Sequence, residues 1–132
     1  MIMMRVMMVA LAVLAVAGAA SYAAMPAPVV VGTATCPINV KEGNYDLISQ
    51  VVDLPPGGVI PKHKHGGPVV AQVLTGEITV TDAMGVKVFK AGQMFTESPG
   101  YVHMAANKGS ATTRVAVSYL IPKGAAVTTF LK

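Results

Sequence analysis

The chain has 132 residues, of which 12% are charged, and a net charge of +4. Its lysines are scattered, without a basic stripe or interleaved aromatic residues of the kind that follows a phosphate backbone, which argues against a nucleic-acid partner. A single cysteine, Cys36, excludes an intrachain disulfide.

Met1 to Arg5 form a short positive start, and Val6 to Ala20 an almost unbroken apolar run. The run is shorter than the ~20 apolar residues a membrane span needs. Small residues come next at Ser21, Ala23 and Ala24. The pattern predicts a signal peptide over 1–24, cleaved near Ala23 or Ala24, and an exported protein, periplasmic or secreted. The membrane then matters only during export. Loss of Arg5 lowers the charge from +4 to +3. The remaining segment, 25–132, is the size of one domain, and a chain of roughly 100 residues buries something over 60% of its extended surface.

Residues 25–37 hold Pro26, Pro28, Gly32 and Pro37 among valines and threonines, which predicts an extended arm or edge strand. Such an arm is free to pack on a second copy, and a homodimer is the expected assembly. Cys36 comes after Thr33, Ala34 and Thr35, which is no lipoprotein box. It reads as a half-buried thiol, with an intermolecular bridge or a metal ligand as alternatives.

Strands are predicted over 47–54, 59–65, 69–74, 77–81, 86–89, 93–97, 101–105 and 112–120, with a last apolar stretch to Leu131. Pro55-Pro56-Gly57-Gly58, Gly66-Gly67-Pro68, Asp82-Ala83-Met84-Gly85 and Ser98-Pro99-Gly100 break them. No window has a helical period with a cap, so an all-β sandwich or barrel is expected. Met84, Met94, Met104, Phe89, Phe95, Val73, Val102 and Val117 read as core or pocket wall.

His63, His65 and His103 are the only histidines. His63 and His65 share one face of an extended strand, with Lys62 and Lys64 on the other. A folded barrel can return His103 to them, and three converging imidazoles make a metal site. Around them lie Gly57, six residues before His63, then Gly76, Gly92, Gly100 and Asn107.

This pattern resembles the paired motifs of the cupin superfamily: a glycine, five residues, His-any-His and a later glycine, then a glycine, a Pro-any-Gly turn, a histidine and an asparagine. The resemblance spans Gly57 to Asn107 and implies a cupin-type double-stranded β-helix, or jelly-roll, barrel. Two departures stand out. Ser98 occupies the usual proline position, with Pro99 after it, and Val69-Val70 stand where a glutamate ligand is expected.

Without that carboxylate, the three-His set suits iron, zinc, nickel or copper better than manganese or magnesium. Glu97 is the best candidate to supply an oxygen, as a ligand, a partner orienting an imidazole or a general acid or base; an exposed strand-end glutamate is the alternative. Gln72 can reach a bound ligand or lie on the outer face. Tyr101, two residues before His103, shares its face if the strand is regular.

By resemblance, the leading expectation is an exported metal-binding cupin enzyme, an oxidoreductase of dioxygenase type acting on a small organic molecule, with Glu97 and Tyr101 as catalytic groups. The alternative is a non-catalytic module that binds a metal or a small ligand in the same pocket.

Overall fold

The computed structural model describes residues 29–132. The predicted signal segment, 1–24, lies outside the described residues. Nine strands are present among them: β1 (Tyr45–Leu54), β2 (Val59–His65), β3 (Val69–Thr75), β4 (Glu77–Asp82), β5 (Gly85–Lys90), β6 (Met94–Glu97), β7 (His103–Ala106), β8 (Thr113–Pro122) and β9 (Thr128–Phe130).

Their pairing is nested. β4 pairs with β5, β3 with β6, β2 with β7 and β1 with β8, all antiparallel, as if one long hairpin had been folded at the β4–β5 turn. Further pairing of β3 with β8 and of β4 with β7 winds this hairpin into two facing sheets, ordered β1-β8-β3-β6 and β5-β4-β7-β2-β9. This is the expected all-β double-stranded β-helix. At the β4–β5 turn, Asp82 Oδ1 accepts from the backbone N–H of Met84 at 2.7 Å and of Gly85 at 3.0 Å, which closes the two-residue loop.

Alternation along the strands builds the interior. Val69, Ala71 and Val73 of β3 are buried, while Val70 and Gln72 between them face outward. Ala71 and Val73 join Leu54, Ile78, Ala105 and Val115 in one apolar cluster; Val69, Tyr119 and Ile121 form a second.

Two methionine assignments change. Met84 sits at the hairpin tip and is 80% exposed, and Met104 alternates outward between His103 and Ala105, so neither contributes to the core. Met94 is half-buried on β6. The described part of the arm, 29–37, forms no strand; Cys36 is half-buried, and its Sγ lies 3.8 Å from the Glu97 carbonyl.

Turn chemistry holds the site end in place. In Pro55-Pro56-Gly57-Gly58, the Gly58 N–H donates to the Pro55 carbonyl at 2.8 Å, and Gly57 takes φ 74° at the third position, as a type II turn requires. Asn107 ties this turn to β7. Its backbone exchanges hydrogen bonds with Gly57 and Gly58, and its buried Nδ2 donates to the carbonyls of Leu54 at 2.9 Å and Ala111 at 2.7 Å. Its Oδ1 accepts from the Gly109 N–H at 2.9 Å.

Asn107→Ala leaves buried carbonyls and an N–H without partners, so it should cost about 3 kcal/mol in urea unfolding. A loss under about 1 kcal/mol would contradict this structural role.

Candidate metal centre

The β2–β7 register sets His63 directly opposite His103, and His65 lies two residues along β2 on the same face. Between Ile60 and His63 the register shifts, with Pro61 inside the irregular stretch. A proline has no N–H to give to the ladder, and a bulge is where a strand tolerates one. All three imidazoles are buried, at 3%, 7% and 3% exposure for His63, His65 and His103. Their candidate ligand atoms lie within 4.8 Å of one another, a group that can hold a metal ion. Lys62 and Lys64 point outward, as alternation requires.

Each ring is fixed through Nδ1. His63 Nδ1 lies 2.6 Å from the Pro61 carbonyl, His65 Nδ1 3.0 Å from that of Val127, and His103 Nδ1 3.2 Å from that of Tyr101. A carbonyl only accepts, so each Nδ1 carries the proton, and in the neutral ring Nε2 keeps its lone pair. This outer support is what metal-binding histidines require. β9 contributes part of it: Thr128 pairs with His65, its Oγ1 3.1 Å from Nδ1, and Phe130 pairs with His63 with ring centroids 5.9 Å apart. The only sequence trace of β9 was an apolar stretch near the end of the chain.

Glu97 ends β6 at 6% exposure, with Oε1 2.9 Å from His103 Nε2 and Oε2 3.3 Å from His65 Nε2. Burial opposes its ionisation, yet hydrogen bonds from His103 and His65 outweigh burial and hold the carboxyl at about 2. For His103, burial favours the neutral ring, but the Glu97 contact prevails and raises its pKa. His63, without that contact, is lowered by burial.

Tyr101 takes another place. It precedes β7 rather than continuing it, so strand alternation does not govern it. Its hydroxyl donates to Asp82 Oδ2 and its ring stacks on His103, centroids 5.0 Å apart; it is not among the residues lining the cavity that the three histidines share. Asp82 had no sequence signal beyond its turn. Gln72 faces away from the histidines, on the outer side of β3.

The histidines and Glu97 open into a cavity of about 270 Å³ between the sheets. Leu54, Ile60, Phe95, Val115, Val117 and Phe130 contribute to its wall, and among the described residues no lysine or arginine lines it.

A double-stranded β-helix carrying three buried histidines at one end defines a β-barrel with a candidate metal centre. The description "Cupin domain" matches residues 50–119, and the chain belongs to the cupin superfamily. It is 32% identical over 98 residues to "Germin-like protein subfamily T member 2" of Arabidopsis thaliana, covering 67% of this chain and 44% of that protein. The chain thus spans less than half the length of this relative. Among solved structures, an uncharacterized double-stranded β-helix protein from Klebsiella pneumoniae is similar at 28% identity and TM-score 0.56, over 66% of this chain and 76% of that one. A recombinant oxalate oxidase in complex with glycolate is similar at 25% identity and TM-score 0.55, over 64% of this chain and 45% of that one.

The Glu97 and His103 shifts define a pH window for the metal-free protein. Glu97 is depressed in the fold, so its contribution is present above its unfolded value, ~4.3, and is lost as pH falls toward about 2. His103 is raised, so its contribution is full below ~6.5 and is lost as pH rises through its folded value. The stability difference between wild type and Glu97→Gln, measured by urea unfolding in chelator, should therefore peak between pH ~4.3 and ~6.5. A difference independent of pH would contradict the pairing.

Proposed function

We propose that this cupin is a metal-dependent oxidoreductase of dioxygenase type, acting on a small, uncharged, ring-bearing molecule at a divalent transition-metal centre held by His63, His65 and His103. The observation that carries it is the convergence of three buried imidazoles, each fixed through Nδ1, in the lining of an otherwise largely apolar cavity. The donor set fits iron, zinc, nickel or copper. Likeness to an oxalate oxidase supports redox chemistry. A bound ion there would supply Lewis acidity and an open position for substrate and oxygen.

The substrate class is read from the wall. A cavity of about 150 Å³ lined by apolar side chains binds benzene, so about 270 Å³ accommodates a substituted ring. An anionic substrate would meet the Glu97 carboxylate and, among the described residues, no lining lysine or arginine. A phenol-like molecule needs neither. Its ring packs on Phe95, Phe130 and Val117, and its one polar group faces the histidines. Glu97 lies beside His65 and His103 in the cavity lining. The apolar Val6–Ala20 run supports export as the setting for this activity.

One observation favours a second reading, a non-catalytic ligand-binding module. With the Tyr101 hydroxyl engaged by Asp82, Glu97 is, among the described residues, the only carboxylate lining the cavity, and no described tyrosine but Tyr119 joins it.

Oxygen uptake separates the two readings. Ferrous-loaded protein should consume oxygen with members of a panel of phenols, flavonoids and thiols, phenols foremost, and His65→Ala should lose metal and at least ~100-fold of the rate. Metal retention should fall as pH drops below ~6.5, because protonation competes for each imidazole. Tight metal with no uptake on any substrate would leave the binding module; metal content unchanged in His65→Ala would overturn the centre itself.

A further inference from the structure

We propose that Glu97, carried on β6, is the fourth protein donor to the metal at His63, His65 and His103, so that the carboxylate reaches the ion from the strand beside β3 and not from β3. This rests on the metal-centre reading and adds its oxygen ligand.

The placement is specific. Both Glu97 oxygens face Nε2 atoms, at 2.9 Å to His103 and 3.3 Å to His65, and these are the nitrogens left free by the carbonyls on Nδ1. Two ligands each about 2.1 Å from one ion at right angles stand about 3 Å apart, so these separations suit neighbouring donors. A carboxylate this deeply buried needs a positive partner. Among the described residues no lysine or arginine lines the cavity to serve as one. With an ion bound the histidines are neutral, and the ion would take the place that a proton on His103 holds without it.

The strand register explains how a donor can sit at this position. β3 and β6 pair with Val69 opposite Glu97, and directly opposed residues share a face with Cβ atoms about 4.5–5.5 Å apart. Val69 is one of the two positions at which the motif resemblance expects a carboxylate, and it is 1% exposed. A carboxylate at 97 therefore enters the same end of the barrel from one strand over. The turn after β6 is pinned beside β2 by the Gly100 N–H, which donates to the His65 carbonyl at 3.0 Å. An anionic oxygen beside three imidazoles also admits a harder ion, manganese(II), that three imidazoles alone favour less.

The test is metal binding, read apart from turnover. Glu97→Gln keeps size and removes charge; the exchange Glu97→Val with Val69→Glu moves the carboxylate back to β3. Each protein, with its fold checked by circular dichroism, is titrated with manganese(II) and zinc(II) against a chelator, and the cobalt(II) visible spectrum is recorded. Glu97→Gln should weaken manganese(II) at least tenfold and zinc(II) by less, shift the cobalt(II) bands, and be largely reversed in the exchange. If the exchange does not fold, Glu97→Asp, which keeps the charge, should bind manganese(II) more tightly than Glu97→Gln. A Glu97 that only hydrogen-bonds the free histidines would give way to the ion. Affinity in Glu97→Gln would then be unchanged or higher, with unaltered cobalt(II) bands, and this would overturn the proposal while the three-His centre stands. Wild type that binds none of these ions would overturn both.

Discussion

The antiparallel register that sets His63 opposite His103 governs the candidate centre, because it brings two of the three imidazoles to the same space and leaves His65 to join them by strand alternation. A one-residue slip of β2 against β7 would turn the histidines outward and Lys62 and Lys64 inward. The register is guarded from both sides. Pro61 at the irregularity and Asn107 at the β1–β2 turn hold one end, while β9 pairs against His63 and His65 at the other. The nested hairpin thus converts a long sequence separation, from His63 to His103, into one strand spacing.

Electrostatics then define what the pocket can do. Four titratable groups, His63, His65, His103 and Glu97, are all buried, an arrangement unfavourable to charge unless charges are matched. Without an ion, a proton on His103 balances Glu97, which accounts for the opposite directions of their shifts. With an ion, the same groups form a neutral-imidazole and carboxylate set, and the proton must leave. A metal ion and a proton would therefore compete for one balanced site.

Much of this was legible in the sequence. Turn residues and alternation placed β2 at its observed bounds and the other strands within a few residues, and the motif spacing identified the histidines. Three features were not. β9 is short and carries a polar pair, Thr128 and Thr129, so its role appears only once it pairs with β2. Tyr101 lies in a turn rather than a strand, where alternation has no force, and Asp82 captures its hydroxyl from a distant hairpin. The burial of Glu97 depends on cross-strand pairing with Val69, a long-range contact that no local pattern encodes. Local chemistry is readable where the period is regular; it fails where the decisive partner comes from another strand.

The central claim is that the Nε2 atoms of His63, His65 and His103, joined by a Glu97 oxygen, bind one metal ion. A crystal structure of manganese-loaded protein, with data collected at the metal absorption edge, tests it most directly. One anomalous peak within about 2.0–2.3 Å of all four atoms is the expected result. A peak elsewhere on the molecule, ligation through Nδ1, or no peak at the histidines would contradict it.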